Sequence, residues 1–416
     1  MARIKIVGGN ELTGSVQISG AKNSAVALIP AAILSKNTTF IYNVPKINDI
    51  KYLVEILELL NCKIEIKNNI LKIDSSNIKY HEIPENLSQM MRASYYFMGS
   101  MLAKFKKAEI SFPGGCNIGA RPIDLHIKGF EQLGAKVTKQ KNKYTIEAKE
   151  LIGTTIYLDF ASVGATINLM LAATGAKGTT IIENAAMEPE IVNIAAFLIN
   201  MGAKITGAGT KTIKIEGSNE LENGVIEVFP DRIEASTYLI IATLLGNELT
   251  VKGAIKEHIS SVLDKLVEVG ATVNIEADEI TISKAKKLKS TSITTQVYPG
   301  FPTDVQQPFT TLLTQAEGKS IINETIYESR FKHTLELKKM GAKTEFNGNI
   351  LTIEGPTKLI GQNVESTDLR GGASLLIAAL IAEGTTIIDN IDYILRGYED
   401  VVEKLSKLGA NIEIIE

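Results

Sequence analysis

Six imperfect copies of one unit fill this chain, and that repetition limits what it can fold into. Each copy closes on a helix that ends at a residue suited to the left-handed backbone and then enters a strand. The mark reads Leu133-Gly134-Ala135-Lys136-Val137, Met201-Gly202-Ala203-Lys204-Ile205, Val269-Gly270-Ala271-Thr272-Val273, Met340-Gly341-Ala342-Lys343-Thr344 and Leu408-Gly409-Ala410-Asn411-Ile412. Leu60-Asn61-Cys62-Lys63-Ile64 is a degenerate first copy, with Asn in the glycine position. From Gly134 onward the marks are 68, 68, 71 and 68 residues apart. A period this long is a small folded unit used repeatedly, not a solenoid step.

The third copy shows the contents of the unit. Thr155–Leu158 reads as a strand, Ala165–Ala173 as an apolar helix, and Thr179–Asn184 as a second strand. Glu190–Met201 then places Ile191, Ile194, Ala195, Leu198 and Met201 on one helical face. Lys204–Thr206 and Thr212–Ile215 alternate as a two-stranded turnback. The order is βαβαββ, and one such unit can bury only part of its apolar surface. Three together make a domain of ordinary size, so the 416 residues divide into two. The break is expected near Phe229-Pro230-Asp231. The last copy lacks a hairpin strand and about 20 residues precede the first, so the N-terminal segment is expected to complete the last unit. The domains are then 22–229 and a discontinuous 1–21 plus 230–416.

Composition narrows the class. Hydrophobic residues make up 44% and charged residues 22%, enough to bury large cores. A net charge of −3 gives no reason to expect nucleic acid or an anionic membrane as partner. Met1–Val7 carries no signal-peptide core, and no apolar run reaches the ~18 residues of a spanning helix. Two cysteines outside any CxxC pair, and four scattered histidines, predict no disulfide framework and no metal site. The expectation is a cytoplasmic protein.

Chemistry collects where the first helix of each copy begins. These points hold Lys22-Asn23, Arg92, Ser162-Val163, Asp231-Arg232, Asp304 and Asp368 with Arg370. Each lies 14–16 residues before the turn that ends its helix. Helix N-termini offer free N–H groups and a positive dipole end, suited to phosphate or carboxylate. If the two domains face each other, those ends can line one cleft. Asp and Ser at such points are also ordinary helix caps. Lys22, Arg92 and Arg370 run against the usual preference and so call for an anion.

Three further segments stand out. Phe112–Pro122 holds two prolines and three glycines around Cys116, with Arg121 five residues on. A cysteine there is either a reachable thiol that a cation turns toward thiolate or a small buried hydrophobe. Cys62 reads as structural. Pro299-Gly300-Phe301-Pro302-Thr303-Asp304 sets Asp304 at a helix mouth. Its carboxylate could serve as a general base if desolvation raised its pKa, whereas the helix dipole lowers it. Arg396, in Leu395-Arg396-Gly397-Tyr398-Glu399, precedes a helix and by default is a solvated surface group.

Several blocks together resemble the enolpyruvyl transferases, in the branch acting on UDP-N-acetylglucosamine. They are Ser19–Asn23, Met91–Ser94, Pro113–Pro122 followed by Ile123–His126, Glu183–Ala186, Phe301–Asp304, Thr367–Arg370 and Arg396–Glu399. The resemblance implies a two-domain inside-out α/β barrel of six βαβαββ repeats, three per domain. It implies transfer of the enolpyruvyl group of phosphoenolpyruvate to the sugar 3′-hydroxyl with release of phosphate, by addition and elimination, without a cofactor or a required protein partner. By matching position, Asp304 would take the hydroxyl proton. Cys116 would be the acid toward the methylene carbon and could carry an adduct. Lys22, Asn23, Arg121 and Arg396 would hold phosphoenolpyruvate, and Asp368 and Arg370 would support the intermediate. Asn23, Arg92, Arg121, Pro122, Ile123, Asp124, Leu125, Ser162, Val163, Asp304 and Ile326 would contact the sugar nucleotide. It also implies inactivation by the epoxide fosfomycin.

Three places depart from the family pattern: Phe160-Ala161, Gln306-Gln307-Pro308 and Leu395. Two rivals remain. The sister enzyme acting on shikimate 3-phosphate lacks the Pro-Gly-Gly-Cys loop. A silent binding paralogue would have no need of Lys22, Cys116, Asp304, Asp368, Arg370 and Arg396 together.

Overall fold

The structure, a computed structural model, describes residues 2–112, 114, 123–218 and 220–416. Contacts divide the chain into two compact units. An N-terminal unit takes Gly20–Gly115 and Arg121–Phe229, and a C-terminal unit joins Met1–Ser19 to Pro230–Glu416. Each has its own hydrophobic core.

In the third copy the strand Thr155–Tyr157 runs parallel to Thr179–Glu183, which pairs antiparallel with Thr212–Glu216 and through it with Lys204–Thr206. The helices Val163–Thr174 and Pro189–Asn200 occupy the two crossovers. Four further copies form the same four-stranded sheet. The second keeps three strands, Lys107–Ser111, Lys136–Gln140 and Lys143–Glu147, with one parallel bridge from Ile83 to Ile110 where the first strand belongs.

Each unit closes its own ring of sheets by borrowing along the chain. Gly224–Glu227, the last strand of the N-terminal unit, pairs with Thr38–Tyr42 of the first copy. Leu12–Gln17 pairs with Gly246–Lys252. Arg3–Val7 lies between Thr385–Asp389 and Asn411–Ile415, antiparallel to both. The N-terminal segment thus supplies the hairpin strand the last copy lacks.

The two kinds of helix follow from their composition. Lys22–Ala32, Tyr96–Phe105 and Val163–Thr174 in one unit, and Arg232–Leu245, Thr303–Leu313 and Leu369–Ile381 in the other, are buried nearly all round. A helix buried on every side has to be surrounded, so these form the centre of each unit; five are largely apolar, whereas Thr303–Leu313 also buries Gln306, Gln307, Thr310 and Thr311. The second helices are amphipathic: Asn48–Leu59 buries Ile50, Leu53, Ile56 and Leu57 and leaves Lys51, Glu55 and Glu58 at or near the surface. Strands such as Thr179–Glu183 alternate buried and exposed residues, the pattern of a sheet with one wet face. The helix-ending glycines adopt left-handed φ values of +94° to +108° at Gly134, Gly202, Gly270, Gly341 and Gly409, and Asn61 does the same at +66°.

Candidate active site

In the N-terminal unit, Lys22 opens its helix without a capping side chain. Gly20, two residues earlier, sits against Asn43, whose carbonyl oxygen would stand 1.8 Å from an added Cβ. Only glycine lets the chain approach that closely. Lys22 Nζ pairs with Asp49 Oδ2 at 2.9 Å, and both side chains are largely buried. The anion that its position called for is therefore supplied by the protein. Asn23 beside it is half-buried.

Arg92 does not start an α-helix. It opens a 3₁₀ turn, Arg92–Tyr95, ahead of the helix Tyr96–Phe105. The Ser94 hydroxyl reaches the carbonyls of Met91 at 2.9 Å and Ser88 at 3.0 Å, which draws this segment into the tighter turn. The Arg92 guanidinium lies over the Tyr95 ring, 5.5 Å from its centroid. Tyr95 meets buried His126 edge to face. Burial first, and the Arg92 charge second, push the His126 pKa down to about 3, so the ring is neutral. Its Nδ1 stands 3.1 Å from the Asn168 amide, whose oxygen accepts the Gly99 N–H.

Ser162 caps Val163–Thr174 by accepting the Ala165 N–H at 3.3 Å, and Val163 is half-buried. Ile123 is buried, Asp124 is exposed at the start of Asp124–Gln132, and Leu125 is half-buried. Cys116, Arg121 and Pro122 lie outside the described residues.

The C-terminal unit holds the denser cluster. Asp304 occupies the first turn of Thr303–Leu313. Its Oδ1 pairs with Arg330 Nη2 at 2.7 Å, and its Oδ2 takes Arg370 Nη2 at 3.2 Å and Nε at 3.3 Å. Both guanidiniums are 4% exposed, against 26% for the Asp304 side chain. Burial by itself would raise this carboxyl. The charges of Arg330 and Arg370 overcome it and hold Asp304 far below the ordinary carboxylate range. The question left open by the sequence is decided against burial, with two cations lowering the carboxyl. In this arrangement Asp304 is ionised and a weak base.

The cations are themselves anchored. Arg330 Nη1 donates to Thr303 Oγ1 at 2.8 Å, and Thr303 donates to Glu324 Oε2 at 2.8 Å. Glu324 is buried, and its Oε1 accepts from Thr295 Oγ1 and from the N–H groups of Ile326 and Tyr327. That carboxylate fixes the turn carrying half-buried Ile326. Arg370 lies over the buried Tyr398 ring, whose hydroxyl meets Thr237 Oγ1 at 3.0 Å. Among the described residues, Arg330 Nε and Arg370 Nη1 are buried donors with no hydrogen-bond partner. Asp368 caps Leu369–Ile381, its Oδ1 accepting the N–H groups of Arg370 at 3.0 Å and Gly371 at 3.1 Å. Arg396 is half-buried, just after the short helix Asp392–Leu395.

Asp304, Asp368 and Arg370 are thus brought together within one unit, with Ile326 on the turn that Glu324 holds. Sequence reasoning missed Asp49, Arg330, Glu324 and His126. Among the described residues no group of His, Cys, Asp and Glu could hold a metal, and no helix is long and apolar enough to cross a membrane. A concavity of about 560 Å³ over Tyr42, Asn68, Asn69 and Val225 is lined by none of the candidate residues.

Comparison with known proteins adds five findings. The family EPSP synthase (3-phosphoshikimate 1-carboxyvinyltransferase) matches residues 6–405. UDP-N-acetylglucosamine 1-carboxyvinyltransferase 2 of Listeria monocytogenes is 50% identical over 410 residues, covering 99% of this chain and 97% of that protein. The protein of the same name from Bacillus cereus is 50% identical over 413 residues, covering 99% and 96%. Among solved structures, the enolpyruvyl transferase NikO from Streptomyces tendae superposes with a TM-score of 0.92 at 28% identity, over 100% of this chain and 99% of that one. An EPSP synthase from Acinetobacter baumannii, at 19% identity and a TM-score of 0.76 over 100% of both chains, shares the fold.

Proposed function

The chain belongs to the EPSP synthase family of enolpyruvyl transferases, and on that premise we propose which of its residues carry the reaction. The protein transfers the enolpyruvyl group of phosphoenolpyruvate to UDP-N-acetylglucosamine, the first step of peptidoglycan synthesis. The observation that carries this is the half-identity, nearly end to end, with carboxyvinyltransferases that take this sugar nucleotide. The place of the reaction is the cytosol, where both substrates would be met. The domains we read are 22–229 and 1–21 with 230–416, two residues from the contact-defined division between Ser19 and Gly20.

The sugar 3′-hydroxyl oxygen adds to C2 of phosphoenolpyruvate while C3 gains a proton and becomes a methyl group. The C2–O bond to phosphate then breaks and C3 returns a proton, leaving the enolpyruvyl ether. Asp304 is the group that accepts the hydroxyl proton. Held between Arg330 and Arg370 it is too weak a base, so its activation requires those cations to be drawn elsewhere. The substrate carboxylate and phosphate are suited to do this, because Arg330 Nε and Arg370 Nη1 are already unpaired donors beside Asp304. Cys116 delivers the proton to C3 and can carry the adduct. Lys22, Asn23, Arg121 and Arg396 bind phosphoenolpyruvate, and Asp368 with Arg370 steadies the charge that develops at C2. Arg92, Pro122, Ile123, Asp124, Leu125, Ser162, Val163 and Ile326 join Asn23, Arg121 and Asp304 in holding the nucleotide.

The test is phosphate release from phosphoenolpyruvate with UDP-N-acetylglucosamine and, separately, with shikimate 3-phosphate, each with and without fosfomycin. Release with the sugar nucleotide alone, abolished by fosfomycin, is the expected result. An Asp304→Asn protein with parental turnover would remove Asp304 from its role.

A further inference from the structure

Gln307 has no part in the roles above, yet it is fully buried beside the cluster. It sits three residues after Asp304 on the helix Thr303–Leu313, the spacing that puts two side chains on one face. Its Nε2 donates to Asp368 Oδ2 at 3.0 Å and stands 3.4 Å from His333 Nδ1. Asp368 Oδ1 is committed to the helix cap. Oδ2 is held by Gln307 and by the neighbouring Thr367 hydroxyl at 3.1 Å. Gln307 is therefore the side chain from another helix that fixes the plane of this carboxylate.

His333 ties the arrangement to the second cation. Its ring is fully buried, three residues after Arg330, with its Nδ1 beside the Gln307 amide. The helix bearing Asp304 thus meets the segment bearing Arg330 at the ion pair and again where the Gln307 amide lies 3.4 Å from His333 Nδ1.

We propose that Gln307 is a positioning residue for the transfer reaction, holding Asp368 in its working orientation from the helix that carries Asp304. The inference rests on the reading of Asp368 as part of the reaction centre. A neutral amide suits this task because it donates to a carboxylate without adding a third cation that would compete with Arg330 and Arg370 for Asp304. The titration behaviour agrees. Burial alone would raise the Asp368 carboxyl, but the Gln307 hydrogen bond, the Arg330 charge, the Gly371 N–H and His333 bring it below its ordinary range. His333 is pushed down to about 4, chiefly by burial, with Asp368 opposing and Arg330 reinforcing, so it faces Asp368 as a neutral ring near pH 7.

The experiment uses the full chain with phosphoenolpyruvate and UDP-N-acetylglucosamine. Gln307→Met keeps the length and removes the donor. It is expected to lower kcat roughly 10- to 100-fold, the scale of a misplaced catalytic group, with little change in KM for the nucleotide. The acid limb of its pH profile moves upward as Asp368 loses a hydrogen bond. In an Asp368→Asn background the same substitution costs nothing further. Gln307→Glu guards against a folding defect: a neutral carboxyl can donate as the amide does, so its activity recovers as the pH falls. Parental kcat in Gln307→Met, or an equal loss in both backgrounds, overturns the inference while leaving Asp368 in place. Parental kcat in Asp368→Asn alone removes the premise instead.

Discussion

Removing Arg330 tests whether Asp304 is held by charge. Arg330→Met deletes the 2.7 Å contact to Asp304 and the 2.8 Å contact to Thr303. A charge-assisted hydrogen bond contributes about 1.5–3 kcal/mol. The Asp304 side chain is 26% exposed, so water recovers part of that loss, and Arg370 remains as a second partner. Arg330 Nε has no hydrogen-bond partner, so its removal also relieves a buried unsatisfied donor. The coupling between Arg330 and Asp304 then comes to about 2 kcal/mol, equivalent to about 4–8 °C in the melting of a unit this size. Urea unfolding of Arg330→Met, Asp304→Asn and the double variant measures it as a cycle. The double variant should be about 2 kcal/mol more stable than the sum of the single losses predicts. Strict additivity within about 0.5 kcal/mol would show that the pair is geometry without energy and would sink the account of a restrained base.

Two other outcomes are expected. Buried Glu234 takes Lys404 Nζ at 2.6 Å and the Ser19 N–H at 2.8 Å, yet burial pushes its pKa up to about 7 against the pull of Lys404. A raised carboxyl contributes stability that is full below its unfolded value and lost as the pH rises through the folded one. Lys404→Met should therefore cost about 2–3 kcal/mol at pH 8 and little at pH 5.5, where Glu234 is protonated in both proteins. Equal shifts of the urea midpoint at the two pH values would contradict this. Cys62 is buried, and burial first, then Asp74, push its thiol up to about 12. Iodoacetamide at pH 8 should label the Cys116 peptide and spare Cys62, which peptide mass spectrometry reads directly; comparable labelling of Cys62 would refute its assignment as an inert core thiol.

The architecture was legible because its marks are local. A left-handed helix end needs Gly or Asn wherever it occurs, so Asn61 and the five glycines announced the copies from chemistry alone. The apolar helix and the amphipathic one of each copy were both readable from their residue patterns, although which lay at the centre was not drawn from them. What escaped were tertiary partners. Nothing near Lys22 in sequence points to Asp49, and nothing near Asp304 points to Arg330. Arg92 was misread as a helix start for a local reason: the Ser94 hydroxyl bonds the Met91 and Ser88 carbonyls and tightens the turn, and nothing in the residue types marks that turn off from the helix it leads into. Glu324 could have been found by laying the copies side by side. The residue after the central strand is Asn43, Asn184, Gly253 and Asn390 in four copies, all with positive φ, and the fifth has a buried glutamate instead. A carboxylate where its siblings need only a turn residue is a signal of local chemistry. The charge state of Asp304 was beyond sequence reading, since two opposing effects had to be weighed and the cations that decide it come from other elements.

The placement of Arg3–Val7 between Thr385–Asp389 and Asn411–Ile415 bears on how the molecule is made. During synthesis the N-terminal unit has its closing strand, Gly224–Glu227, as soon as that segment clears the ribosome, and it can fold while the rest of the chain is still being added. The other unit cannot. One of the first strands made must wait, unpaired, for one of the last, and closing so long a loop is both slow and exposed. From the emergence of Gly224–Glu227 until that of Asn411–Ile415 the chain carries one finished unit and an unpaired N-terminal strand, and that interval is where a chaperone would be needed most.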